Sequence, residues 1–179
     1  MKKRLIALAL CLLFVLSACG KTEIRPVENT EASEAAVSQT LSFETTDLDG
    51  NAVSSAELFA AHRLTMVNVW TTWCGYCIRE LPDLQTLSET YASQDCAVIG
   101  LLYDGDTDEA CEEARALMQD AGADYPVLIP WDGVDAQLGI QAFPTTFFVD
   151  SEGNIVGEPI LGADLEAYTN RLETLLAAD

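Results

Sequence analysis

Leu64-Thr65-Met66-Val67-Asn68-Val69-Trp70-Thr71-Thr72-Trp73-Cys74-Gly75-Tyr76-Cys77 decides how the rest of this 179-residue chain is read. Leu64 to Trp70 is rich in β-forming side chains and predicts a strand. The strand runs straight into two cysteines three residues apart. Beyond them Leu81, Leu84, Leu87 and Tyr91 recur at spacings of three and four, the apolar stripe of a helix beginning at about Cys74. A Cys-x-x-Cys pair at such a junction has its own chemistry. The first cysteine sits at the helix N-terminus, where free backbone N–H groups and the positive dipole end favour a thiolate. The second lies one turn further in, within reach of a mixed disulfide on the first. Cys74 is therefore expected to attack and Cys77 to resolve.

Outward from this centre, short strands alternate with helices. Leu41 to Thr45 and Ala52 to Val53 flank Asp49-Gly50-Asn51, a hairpin turn signal. Ser54, with Glu57 three residues on, is expected to cap a short helix through Ala61. Ala97 to Leu102 predicts a buried strand, Thr107 to Ala121 a helix with an acidic first half, and Tyr125 to Ile129 a further strand. Thr145 to Asp150 and Ile155 to Ile160, joined by Ser151-Glu152-Gly153-Asn154, predict a closing hairpin. Leu165, Tyr168, Leu172, Leu175 and Leu176 mark a terminal helix. The sum is an α/β sandwich around a mixed sheet.

The main rival for Cys-x-x-Cys is half of a zinc site, which needs a second pair; Cys96 and Cys111 are far apart in sequence and not arranged as one. Nor are they expected to bridge each other. A strand start and a helix turn beyond the strand's other end lie on the order of 10 to 15 Å apart, whereas a disulfide needs Cα atoms within about 7 Å. Two free or buried thiols are expected. The acidic run Asp106, Asp108, Glu109, Glu112 and Glu113 reads as a solvated helix face rather than a metal site. No phosphate loop, Ser/His/Asp set or calcium loop is visible, and no metal or other cofactor is expected.

With Val67 to Cys77 and Phe143-Pro144-Thr145 downstream, the chain resembles the thioredoxin superfamily, and more closely its TlpA/ResA-type extracytoplasmic disulfide reductases. The resemblance covers roughly Leu41 to Leu176. It takes in the early hairpin and short helix, the helix and strand between Leu102 and Ile129, and the run Cys74, Cys77, Glu80, Pro82. It implies a thioredoxin-like sandwich over residues 41–179, a central mixed β-sheet flanked by helices, with an N-terminal hairpin and an extra helix-strand insertion. It implies a redox-active Cys74/Cys77 disulfide, a cis-proline at Pro144 facing it, and a substrate groove shaped by Trp73, Gly75, Tyr76, Phe143, Pro144 and Thr145. Trp73 is expected to line an exposed Cys74, and Trp70 to be core.

Two departures stand out. Asn68 occupies the place where thioredoxin has a buried, proton-handling aspartate. Glu80, three residues after Cys77 and on the same helix face, is the candidate for that work, since burial would raise its pKa into a useful range. The bland alternative is an exposed first-turn glutamate that merely suits the helix dipole. Tyr76 stands where this family usually has proline, and the residues between the cysteines tune a potential that spans about 150 mV across the fold. Gly-Tyr also occurs in a disulfide isomerase relative, so reductase, oxidase and isomerase stay open. A thioredoxin-fold copper-binding chaperone is the rival of another class; it would carry Cys-x-x-x-Cys and a late histidine, and the one histidine here, His62, precedes the central strand.

At the N-terminus, Lys2, Lys3 and Arg4 precede an apolar run from Leu5 to Leu16, the order of a secretion signal and too short to span a bilayer. Leu16-Ser17-Ala18-Cys19 resembles the lipobox of bacterial lipoproteins, which implies cleavage after residue 18 and lipidation of Cys19. Residues 20 to 40 show neither helical nor strand period and are expected to form a disordered tether with an end-to-end distance of roughly 25 Å. The mature chain would hold six Lys/Arg against 29 Asp/Glu, a formal charge of −23. Such a surface argues against nucleic acid and against lying flat on anionic lipid. The expected partners are exported proteins, such as apocytochrome c or a methionine sulfoxide reductase, and a membrane electron donor of the CcdA/DsbD type, both implied by the family resemblance.

Overall fold

The computed structural model describes residues 39–178. The signal segment, the lipobox with Cys19 and the tether as far as residue 38 lie outside the described residues. Strands β3 (Leu64–Trp70), β4 (Cys96–Leu102) and β5 (Val127–Leu128) run parallel, β6 (Thr145–Asp150) pairs antiparallel with β3, and β7 (Ile160–Leu161) pairs antiparallel with β6, in the order β5-β4-β3-β6-β7. Strands β1 (Glu44–Thr46) and β2 (Ala52–Ser54) form a separate antiparallel hairpin. Asp47 closes its turn, its carboxylate accepting the Asp49 and Asn51 backbone N–H groups at 3.0 and 2.8 Å. This is the thioredoxin-like arrangement, with helices α2 (Gly75–Tyr91) and α3 (Asp108–Ala121) carrying the parallel crossovers and α5 (Leu165–Leu176) closing the chain.

Strand alternation divides the core in two. Met66, Trp70 and Phe148 face α2, α3 and α5, where Leu81, Leu84, Leu87, Tyr168 and Leu172 meet them. Val67, Val69, Phe147 and Val149 face the other way, towards Phe43, Phe59, Trp131 and Val134. Leu81 and Leu84 have no exposed surface, and each buried leucine contributes about 1.5–3 kcal/mol. The same alternation turns Asn68 to the α2 face beside Met66 and Trp70, directly opposite Thr146 of β6.

Several element ends differ from the sequence reading. Helix α1 (Ser55–Ala60) starts after Ser54, yet the Ser54 side chain makes no capping bond; it is Ser55 that accepts the Phe43 amide at 3.0 Å. The first strand begins at Glu44 rather than Leu41, because the Leu41, Ser42 and Phe43 amides donate to Gly153 O, the Gln137 side chain and the Ser55 hydroxyl rather than to a strand ladder. Gln39 and Thr40, counted with the tether by composition, pair with the closing turn, Gln39 O accepting Ile155 N at 3.0 Å. Strand β5 is two residues long, not five. The expected strand from Ile155 to Ile160 is interrupted: Ile155 bridges Val149, but the ladder resumes only at Ile160 opposite Thr146, two residues out of step. Gly157 (φ +76°) and Pro159 fall in the gap, one in the left-handed region and the other without an N–H to donate. A short helix α4 (Val134–Leu138) went unread, since five residues are too few for the periodicity to register.

Candidate active site

The centre is assembled where β3 ends. Tyr103 N donates to Trp70 O at 2.8 Å, and the Asp104 carboxylate takes the Thr72 N–H at 3.1 Å and its hydroxyl at 2.8 Å. This clamp fixes the turn in which Cys74 N donates to Thr71 O at 3.2 Å. Cys74 is the N-cap of α2; its sulfur accepts the Cys77 N–H at 3.2 Å and is bonded to the Cys77 sulfur, with Cα atoms 5.3 Å apart. An N–H otherwise free at a helix start therefore points at Cys74 Sγ, the arrangement that stabilises a thiolate there once the disulfide opens. The expectation of an exposed Cys74 needs correction: only 7% of it is accessible, and Cys77 is wholly enclosed by the α2-side core.

What is exposed is the rim. Trp73 and Tyr76 project into solvent, 69% and 67% accessible, and are the most exposed large apolar side chains among the described residues. Trp73 meets half-buried Phe143 edge-on at 5.6 Å, Tyr103 backs Phe143 at 5.2 Å, and the Arg79 guanidinium lies 4.4 Å over the Tyr76 ring. Gly75 is exposed between them. The Phe143–Pro144 peptide is cis, and Thr145 begins β6 opposite Val69, which brings this segment to the cysteine end of the sheet. Thr145 departs from its expected place in the groove. It is 1% accessible and its hydroxyl turns inward to Ala142 O at 2.7 Å, so its side chain takes no part in the exposed rim.

Glu80 lies one turn beyond Cys77 on the inward face of α2 and is 6% accessible. Its Oε1 accepts Asn68 Nδ2–H at 2.8 Å, and its Oε2 meets the Tyr168 hydroxyl at 3.1 Å. Burial pushes its pKa up to about 7, against the lowering effect of those two hydrogen bonds and with a further push from Asp83. A carboxyl balanced near neutrality can take a proton and return it. Asn68 cannot titrate, but it orients the group that can. Tyr168 and Thr146 were not singled out as site residues: Tyr168 passed as one more apolar residue in the α5 stripe, and only its hydroxyl among leucines hinted otherwise.

Cys96 and Cys111 are free thiols. Cys96 begins β4 opposite Leu64, at the far end of β3 from Cys74, and His62 lies at that end too, 3.6 Å from Asp95. Among the described residues no group of three or more His, Cys, Asp and Glu is arranged to hold a metal ion.

Comparison with known proteins gives the family. The Redoxin family profile matches residues 31–172. The thiol-disulfide oxidoreductase ResA of Geobacillus thermodenitrificans is 30% identical over 163 residues, 86% of each chain. A thiol:disulfide interchange protein of the thioredoxin family from Chlorobium tepidum superposes with TM-score 0.64 at 27% identity, covering 78% of this chain and 96% of its own. The exposed lipoprotein thioredoxin of Streptococcus pneumoniae does so with TM-score 0.59 at 25% identity, covering 75% and 99%. With a bonded Cys-x-x-Cys capping the helix that leaves the central strand, the chain belongs to the Redoxin family and is a TlpA/ResA-like thiol-disulfide oxidoreductase of the thioredoxin superfamily.

Proposed function

We propose that this enzyme works outside the cytoplasm, anchored through a lipidated Cys19, and reduces disulfides of exported proteins. The observation that carries the reading is the contrast within the pair: Cys74 caps a helix beneath an apolar rim, while Cys77 is sealed behind it beside a carboxyl near its neutral point. In the reductive direction the Cys74 thiolate attacks a client disulfide, forming a mixed disulfide and releasing one client thiolate. Glu80 takes the Cys77 proton, the Cys77 thiolate attacks Cys74 Sγ, and the second client thiolate leaves. Two electrons pass to the client, and the Cys74–Cys77 disulfide remains. A membrane dithiol donor of the CcdA/DsbD type resets it. Trp73, Gly75, Tyr76, Phe143 and the Pro144 backbone receive the client, for which apocytochrome c or a methionine sulfoxide reductase is the natural candidate on the family resemblance.

The reduction potential tests the direction. A value nearer about −270 mV than −120 mV is expected, and one above roughly −150 mV would make the enzyme an oxidase or isomerase, readings that Tyr76 in place of proline leaves open. The anchor has its own test: Cys19→Ala should shed the protein from membranes while insulin-disulfide reduction continues. Retention of that variant through a detergent-free wash contradicts lipidation.

A further inference from the structure

Behind the cysteines lies a buried polar cluster whose protons do not match its acceptors in only one way. Asn68 directs one Nδ2 proton to Glu80 Oε1 at 2.8 Å and the other to Thr146 Oγ1 at 3.1 Å. Tyr168, 1% accessible, has one hydroxyl proton to give, with Gly162 O at 2.8 Å and Glu80 Oε2 at 3.1 Å as acceptors and the Thr146 hydroxyl as a further hydrogen-bonding neighbour. When Glu80 is neutral, both contacts are satisfied in one direction: the carboxyl donates to the Tyr168 oxygen and Tyr168 donates to Gly162. When Glu80 is ionised it has no proton to give, and lone pairs would face each other unless Tyr168 turns its proton to the carboxylate. The Gly162 carbonyl then loses its donor. Gly162 N donates to Pro144 O at 2.8 Å, so the chain of contacts leaves α2 behind the cysteines and returns at the cis-proline in front of them.

We propose that Tyr168 is the positioning residue of Glu80: it sets that carboxyl's proton affinity, and by handing its one proton between Glu80 and Gly162 it passes the proton state to the peptide that holds Pro144. In the reaction the proposal rests on Glu80 as the base for Cys77. As Cys77 gives up its proton, Glu80 becomes neutral and Tyr168 turns to Gly162. Tyr168 itself stays a neutral donor, because burial holds its hydroxyl well above the ordinary tyrosine range. The other titratable groups facing Glu80 are Asp83 on its own helix, Tyr125 before β5, whose hydroxyl burial likewise keeps neutral, and Cys77; Asn68 also links Glu80 to Thr146, two residues after Pro144, but its amide does not titrate.

The test uses the oxidised full-length protein in detergent. The Glu80 side-chain carboxyl, assigned by its loss in Glu80→Gln, and the backbone nitrogen of Ala163, bonded to the Gly162 carbonyl, are followed by NMR from pH 4 to 10. In wild type the two should titrate with one midpoint. Tyr168→Phe keeps the ring but removes a donor to the carboxylate, so the Glu80 midpoint should rise by about 0.5–1 unit and the Ala163 titration should vanish. The pH midpoint of mixed-disulfide resolution should rise equally, with the first attack unchanged. A Tyr168→Phe variant that is merely less stable, with the Glu80 midpoint in place, overturns the proposal; so does a wild-type Ala163 that does not follow Glu80. If the NMR shifts appear but Glu80→Gln leaves the resolution profile as in wild type, the proton coupling stands and the assignment of Glu80 as base falls.

Discussion

The two ends of strand β3 hold cysteines of opposite character. At one end Cys74 caps a helix, receives a backbone N–H at 3.2 Å and sits under exposed aromatic rings. At the other, Cys96 pairs with Leu64 in the sheet, where burial, with Asp95 adding to it, pushes its thiol up to about 11. Cys111 is half-buried inside α3, its own N–H already bonded to Thr107 O at 3.1 Å; burial raises its pKa despite the opposing charge of Arg115. Cysteine reactivity here is a property of position, of whether free backbone donors converge on the sulfur, and not of the residue.

The comparison breaks first at Cys74. Cys74→Ser should abolish turnover in an insulin-reduction assay, by at least about 10³-fold, since among the described residues no other thiol caps a helix. Residual activity within tenfold of wild type would mean that Cys96 or Cys111 can substitute. Glu80 sharpens the contrast through stability. Its folded pKa of about 7 lies above the ordinary glutamate value of 4.5, so the folded state binds the proton more tightly. Stability from Glu80 is full below about pH 4.5 and is lost as pH rises through 7. Over that window oxidised wild type should lose about 3 kcal/mol relative to Glu80→Gln, measured by urea unfolding. Parallel curves for the two proteins would mean an ordinary carboxylate. The smallest effects belong to the far end: Cys96→Ala and Cys111→Ala should change turnover by less than about twofold, while Cys96→Ala costs about 1 kcal/mol of stability.

Much of this arrangement was legible because local signals and tertiary need coincided. Leu64 to Trp70 is a strand by composition and also the sheet's buried centre; the Leu81, Leu84, Leu87 stripe is a helix by period and also the helix that covers it. What escaped is set by contacts distant in sequence. The Asn68–Glu80–Tyr168 cluster draws on β3, α2 and α5, and no spacing links residues 68, 80 and 168. The break at Gly157 to Pro159 escaped because Ile155 and Val156 look like a strand start, and register is settled only by pairing with β6. Thr145 was carried into the groove by its neighbours, whereas its hydroxyl bonds back into the loop.

The central claim, that Cys74 attacks and the enclosed Cys77 resolves, is tested most directly by trapping. Cys77→Ser retains the attacker without its resolver, so disulfide-linked adducts with a model substrate should accumulate and map by mass spectrometry to Cys74. Cys74→Ser leaves, of the pair, only Cys77, which has no accessible surface, and should trap little or nothing at that site. Comparable adducts on both variants, or adducts mapping to Cys77 in Cys74→Ser, would contradict the account.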